Sequence, residues 1–219
     1  DLQLADLGTA SISGSMHTQG FGNVDQSVNE RYLDNFTQFD AATNLELGKL
    51  LPKRLGLSIP VYAGYSQSVS NPEYDPYDLD IKLKDKLNAA KSAAERDSIL
   101  QQAQTFTSIK SLNFTNIRKI SPNKTKHHIW DIENFDLSYS FTQTINHNPL
   151  IQKDVLTRHR FDLGYTFNGQ ERFYTPFKKA IKSSSHYFDL IRDFNFNLVP
   201  SLLGFRTDIN RQFGATTIH

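Results

Sequence analysis

The 219 residues carry a formal net charge of +1 and a mean hydropathy of -0.49. Such a balance supplies no field to gather nucleic acid or an acidic substrate, and the lack of cysteine excludes disulfides, thiolate metal sites and thiol catalysis. No run approaches the ~18 apolar residues of a membrane helix, but barrel strands spend half their residues facing water, so low hydropathy leaves a β-barrel open. With no signal peptide and abrupt ends, the chain is expected to be a piece of a longer polypeptide.

In chain order, residues 9–18 alternate weakly, with Ala10, Ile12, Gly14 and Met16 on one face. A polar loop follows from Gln19 to Asn35; its GFGN (Gly20 to Asn23) reads as a loop, not a phosphate cradle. The next strand sets Phe39, Ala41, Thr43, Leu45 and Leu47 against Asp40, Ala42, Asn44, Glu46 and Gly48. Pro52, Lys53 and Arg54 then connect to the longest pattern in the chain, Leu55 to Asn71, so a hairpin is predicted. There Leu55, Leu57, Ile59, Val61, Ala63, Tyr65, Gln67 and Val69 share one face, and Gly56, Ser58, Pro60, Tyr62, Gly64, Ser66, Ser68 and Ser70 share the other. About sixteen alternating residues would span roughly 50 Å. Ordinary strands run about five or six residues, and a tilted membrane strand needs about 9–11.

Pro72 and Pro76 end the pattern. Beyond them Asp78 or Asp80 is expected to cap a helix carrying Leu79, Leu83, Leu87, Ala90 and Ala94, and Asp97 or Ser98 a second one. Alternation resumes raggedly at Leu112, Phe114 and Asn116 and ends at a basic loop, Ser121 to His128. Phe135, Leu137, Tyr139, Phe141 and Ile145 then oppose Asp136, Ser138, Ser140, Thr142 and Thr144. His159, Phe161, Leu163, Tyr165 and Phe167 oppose Arg158, Arg160, Asp162, Gly164 and Thr166. A connection with a short helix near Phe177 to Lys182 leads to DFNFNLVP, after which Leu203, Phe205, Thr207 and Ile209 oppose Gly204, Arg206, Asp208 and Asn210. The prediction is about seven mostly antiparallel strands with one helical insertion.

A soluble β-sandwich also alternates apolar and polar residues. Three features favour a membrane barrel over it: long strands, apolar faces with almost no charge in mid-strand, and recurrent Tyr and Phe. Asp40, Glu46, Arg158, Arg160, Asp162, Arg206 and Asp208 all project to the polar side, which must be wet. No catalytic constellation is present, so an enzyme is not expected, nor is a cofactor or a metal site. The seven histidines (His17, His127, His128, His147, His159, His186 and His219) lack zinc-protease spacing. Asp131 and Glu133, at strand spacing, read as rim charges rather than a general acid and base. The basic run Lys119 to Lys126 could touch phosphate or lipid headgroups, but without interleaved aromatics it is not a nucleic-acid site.

Four segments carry a family resemblance: LPKRLGLSIPVYAGYSQSVSNPEYDPYDLDIKL (Leu51–Leu83), AAERDSILQQAQTFTSIKSLNFTNIRKI (Ala93–Ile120), DIENFDLSYSFTQTINHN (Asp131–Asn148) and DFNFNLVPSLLGFRTDINRQF (Asp193–Phe213). In their order of strand, P-x-Y-D-P loop, helix and LNFTNIRK, they resemble the SprA/Sov family, the outer-membrane translocon of the type IX secretion system of Bacteroidota. The resemblance implies an all-β fold, a segment of a very large antiparallel transmembrane β-barrel that passes folded secreted cargo and is linked to gliding motility. It implies as partners a PorV-like barrel, a plug protein and outer-membrane lipid. Residues 1–71 and 109–219 would then be barrel strands, and 72–108 a helical cap or partner-docking insertion. Leu57, Ile59, Val61, Leu137, Tyr139, Phe141, Leu163, Tyr165 and Phe205 are expected to face lipid, and the seven charged residues above the lumen. The alternatives are a soluble β-sandwich binding module or another outer-membrane barrel.

Overall fold

A computed structural model describes residues 2–21, 24–25, 32–121, 128–169, 173–178, 187, 189–197 and 200–218. Seven long strands dominate: β1 (Gly8–Phe21), β2 (Tyr32–Glu46), β3 (Pro60–Pro72), β4 (Thr105–Lys119), β5 (Phe135–His147), β6 (Ile151–Asn168) and β7 (Leu202–Ile218). Each pairs antiparallel with the next, so the sheet is a meander in chain order. Two short pieces complete it: Leu2–Gln3 beside β1, and Leu57–Ser58 beside β4. Among the described residues the sheet is open, with β7 bonded on one side only.

No second layer covers this sheet among the described residues. Buried apolar side chains there amount to Val61, Leu83, Ala103 and Phe167. The chain exposes 15970 Å², about one and a half times the ~10,200 Å² of a compact protein of this mass. A sandwich would press two apolar faces together; here the apolar face of one sheet lies open.

The 55–71 pattern is broken where it enters the sheet. Lys53–Leu55 forms a turn of 3-10 helix, and Gly56 takes a left-handed φ of 58°. A side chain there would also meet the Ile120 carbonyl at 2.2 Å from its Cβ, so glycine is required twice over. Leu57–Ser58 then pairs with Lys119 and Arg118, and the long ladder starts only at Pro60. Proline sits at the first and last positions of β3, where it interrupts no interior ladder.

The ragged alternation of β4 also has a local cause. Asn116 adopts φ 54°, and the register slips between Phe114 (opposite Tyr139) and Ile117 (opposite Leu137). This bulge adds one residue, so apolar positions change from even to odd numbers and the same face stays apolar. Asn116 N–H donates to the Ser138 hydroxyl at 2.8 Å, closing the gap in the ladder.

The insertion between β3 and β4 differs from its prediction. Residues 78–82 form a strand paired with Tyr74–Asp75, not the start of a helix. Asp75, 1 % exposed, accepts from Tyr77 N–H and from the Lys86 ammonium, and Lys82 is paired with Glu73 at 2.8 Å. These bonds turn the segment that Asp78 or Asp80 was expected to cap. Helix α1 (Leu83–Ala89) follows, then α2 (Ala93–Ala103), which starts upstream of Asp97 because the Ser92 hydroxyl caps it by accepting from Glu95 N–H, while the Glu95 carboxylate accepts from Lys91 N–H. The insertion is tied down through Glu73 N–H to the Leu33 carbonyl (2.9 Å), Gln104 to Asn71 (2.5 Å), and the Tyr77 hydroxyl to the Pro149 carbonyl.

Asp131 and Glu133 are not at strand spacing. Residues Ile132–Asn134 form a 3-10 turn, and buried Asp131 accepts from His128 N–H. The helix expected near Phe177 falls partly outside the described residues. A four-residue helix stands instead at Asp189–Arg192. The pair Phe173–Tyr174 with Phe196–Asn197 prolongs the β6–β7 ladder in the same register. His127, His186, His219 and residues 122–127 of the basic run also lie outside the described residues.

Candidate functional site: the two faces of the sheet

Side chains opposite one another in antiparallel strands share a face, so the register alone sorts the chain. Asp40 stands opposite Ser66 and Ser13, Asp162 opposite Ser138 and Asp208, Arg160 opposite Ser140 and Asn210, and Gly164 opposite Asp136 and Arg206. Traced through Asn113, Tyr62 and Asn44, these rows join into one polar wall that includes Asp40, Glu46, Arg158, Arg160, Asp162, Arg206 and Asp208.

The wall is tied together across strands. The Arg206 guanidinium donates through Nε to both carboxylate oxygens of Asp162 at 2.9 and 3.0 Å, with Nη2 2.9 Å from Oδ1. Asp162 is only 7 % exposed, so the fork satisfies a carboxylate that has lost most of its water. Asp136 lies over Gly164, where an added Cβ would meet its Oδ1 at 2.4 Å. Ser66 and Gln38 donate to Asp40 at 2.5 and 2.8 Å, Ser140 to Asn113 at 2.6 Å, and Arg158 to Gln212 at 3.3 Å. Glu46 does different work at the end of β2. Its carboxylate accepts from Gly48 N–H, Ser58 Oγ and Ile59 N–H, bracing the turn into β3.

The opposite face brings together Val61, Leu137, Tyr139, Phe141, Leu163, Tyr165 and Phe205, along with Phe114, Leu112, Phe161 and Ile209. Leu57 joins them opposite Lys119; Ile59 lies between the two strand pieces, outside the ladder. Phe205 is 63 % exposed and Ile209 56 %. An apolar patch this large and open requires a covering.

Sequence reading missed three cations on this face, Lys110 (opposite Tyr65 and Gln143), Lys153 (opposite Thr217) and Arg211 (opposite His159). Their placement is informative. Interrupted only by Thr43 in β2 and Thr207 in β7, the apolar run of each strand ends at a polar residue: Thr18 in β1, Thr37 in β2, Gln67 in β3, Lys110 in β4, Gln143 in β5, His159 in β6 and Arg211 in β7. From Arg211 the register passes through His159, Phe141, Leu112, Ala63 and Thr43 to Ala10, eight residues short of Thr18. A stagger of about 26 Å over six strand spacings, about 29 Å in all, sets this border at about 40° to the hydrogen-bonded rows.

Side-chain hydrogen bonds on the apolar face collect along the same border. Thr18 donates to Asn35 at 2.7 Å, Tyr65 to Gln67 at 2.7 Å and Gln143 to Thr157 at 3.4 Å, and the Tyr139 hydroxyl lies 3.0 Å from His159 Nδ1. Arg211 stands over the Phe213 ring, 5.4 Å from its centre. Most of the hydrogen-bonded polar side chains of this face sit where the apolar belt stops; Thr43, whose hydroxyl donates to the Thr9 carbonyl at 3.1 Å, and Thr207 lie inside it.

No helix among the described residues is long and apolar enough to cross a membrane, which does not bear on strands. No group of three or more His, Asp or Glu among them could hold a metal ion. No curated protein matches the chain. Residues 1–87, which cover β1 to β3 and the first part of the insertion, match the family model SprA_N, described as a motility related/secretion protein. That match, over residues 1–87, supports membership of the SprA/Sov family for this chain.

Proposed function

We propose that this sheet is a run of wall strands in a very large transmembrane β-barrel, the outer-membrane channel through which the type IX system exports folded proteins. The slanted border of the apolar belt carries the reading. Strands of membrane barrels tilt by about 35–45°, and a flat bilayer edge drawn across such strands must cut their hydrogen-bonded rows at that angle. A sandwich core gives no reason for a belt to drift steadily in one direction over seven strands.

Height agrees with slope. On β4 the belt lies between Lys110 and Lys119, about 20–23 Å once the tilt is allowed for, against about 25 Å for the apolar band of such barrels. Lysines at both limits can extend their ammonium groups to water while their stems stay in the apolar layer.

The other wall suits a conduit for proteins. Asp40, Asp162 and Asp208 are interspersed with Arg158, Arg160 and Arg206 among Ser, Thr and Asn. Mixed charge creates no strong field of one sign, so cargo of either charge could slide past without being held. On this reading the insertion lies outside the membrane and offers a surface to partner proteins.

The test uses the full-length protein. Lysine at Val61, near the middle of the belt, should cost about 2–4 kcal/mol of folding stability in a bilayer, read as loss of the heat-modifiable, membrane-fractionating form. Lysine at Ser66, on the polar wall, should leave that form intact. Equal tolerance of both, with the protein in the soluble fraction, would favour a β-sandwich binding module. A membrane-borne protein with no export defect when the channel wall is blocked would favour another kind of outer-membrane barrel.

A further inference from the structure

The end of the belt at Lys119 has a chemistry of its own. Gly56 accepts from Ile120 N–H at 2.6 Å, and Leu57 pairs with Lys119, which draws the Lys53–Arg54 turn beside the end of β4. Lys53 and Arg54 are exposed and Lys119 is half-buried. Among the described residues none of the three is ion-paired to a carboxylate. Arg118 belongs to the other face, in the row of Asp136, and so does not count with them.

Two strands further on, about 10 Å away, the Tyr165 hydroxyl donates to the Ile129 carbonyl at 2.6 Å. Tyr165 is on the apolar face, so this bond holds the 128–130 turn against the edge of the belt. The turn is stiffened by Asn134, which donates to the carbonyls of His128 and Ile129 at 2.8 and 3.1 Å. It presents Trp130, the single tryptophan of the sequence, 78 % exposed and stacked on His128 at 5.1 Å. An exposed indole beside free cations, at the limit of an apolar belt, has the composition of a bilayer interface.

The structure points to this edge as a binding surface for anionic, phosphate-bearing lipid headgroups, with Lys53, Arg54 and Lys119 meeting phosphate and Trp130 seated at the glycerol level. The inference rests on the lipid-facing reading of the apolar belt and adds which headgroups that face prefers and at which end. Clustered cations near an anionic leaflet attract it through charge alone. The opposite end carries the insertion, where seven carboxylates from Glu73 to Asp97 outnumber its five cations Lys82, Lys84, Lys86, Lys91 and Arg96, so the preference is directional.

The experiment reconstitutes the full-length protein into nanodiscs of phosphatidylcholine with or without phosphatidylglycerol, and counts retained phosphatidylglycerol by native mass spectrometry. Wild type should enrich it. The triple variant Lys53→Gln, Arg54→Gln, Lys119→Gln should lose about fivefold in retention for each cation removed. A control variant of the insertion, Lys84→Gln, Lys91→Gln, Arg96→Gln, should retain it as wild type does. Excess inorganic phosphate should not displace the lipid; displacement would mark a free-phosphate site and overturn the lipid assignment. Equal retention by the triple variant also overturns the proposal. If instead a spin label at Phe141 reports water rather than acyl chain in wild type, the lipid-facing reading itself fails, and the two failures are distinguishable.

Discussion

The two faces of one sheet hold themselves together in different ways. The polar wall is stitched by side chains bonding across strands, Arg206 to Asp162, Ser66 to Asp40, Ser140 to Asn113. The apolar face has most of its side-chain bonds along the border of the belt and relies inside it mainly on contact between rings and aliphatic groups, such as Phe135 and Tyr165 at 5.0 Å. On the membrane reading proposed above, the difference is that of two solvents. A wall in water can exchange each bond with solvent and needs many to stay ordered, whereas a face in hydrocarbon must hide every polar group or move it to the edge.

The sharpest way to break this comparison is to exchange the chemistry of the two faces. Arginine at Leu163 should cost about 2–4 kcal/mol in a bilayer, and arginine at Thr166 on the other face should cost little, both measured by denaturant titration of the full-length protein in lipid. Equal costs would mean that the faces share one environment. Next in size is Asp162→Ala, which strips the Arg206 fork of its acceptor. The same titration should show a loss of about 1–3 kcal/mol, and Arg206→Ala combined with it should add less than its single effect.

Smaller effects test the backbone devices that keep the faces apart. Asn116→Val places a β-branched residue at φ 54° and should destabilise by about 1–2 kcal/mol. Asn116→Gly should be close to neutral. Hydrogen exchange at Ile117 and Lys119 should rise in the valine variant. In the insertion, Ser92→Ala should cost about 1 kcal/mol of local stability, seen as faster exchange at Glu95 without change in the sheet.

The mildest effect is one of pH. The hydrogen bond that Lys82 donates to the Glu73 carboxylate raises the pKa of its ammonium above the ordinary value. A group raised in the folded state contributes stability below its unfolded pKa and loses it as pH climbs through the folded one. The hairpin at the base of the insertion should therefore hold at neutral pH and loosen only in strong alkali, and Lys82→Met should abolish that dependence. Exchange rates across residues 74–82 would show it.

How much of this was legible beforehand depends on how local each cause is. The period of two in Val61, Ala63 and Tyr65, or in Leu137, Tyr139 and Phe141, requires no partner to be seen, so both walls could be read before the register was known. Raggedness in β4 hid its cause, since Asn116 in a left-handed conformation is set by what the strand must pair with. Lys110, by contrast, shares the even numbering of Leu112 and Phe114 ahead of the bulge and was legible on that face; only its role as the limit of the belt required the register. The helix caps went wrong where distant groups competed, since the buried Asp75 and its Lys86 partner turn the chain before any helix can begin.

By itself the sequence determined that strands dominate and that each has one polar and one apolar side, because alternation and residue chemistry are properties of neighbours along the chain. Only the tertiary structure decided that the seven strands form a single sheet, uncovered among the described residues, and that the limit of the apolar side climbs by eight residues from Ala10 to Thr18 across it. That slope depends on register between strands, and register is fixed by turns, bulges and hydrogen bonds joining residues far apart in the chain.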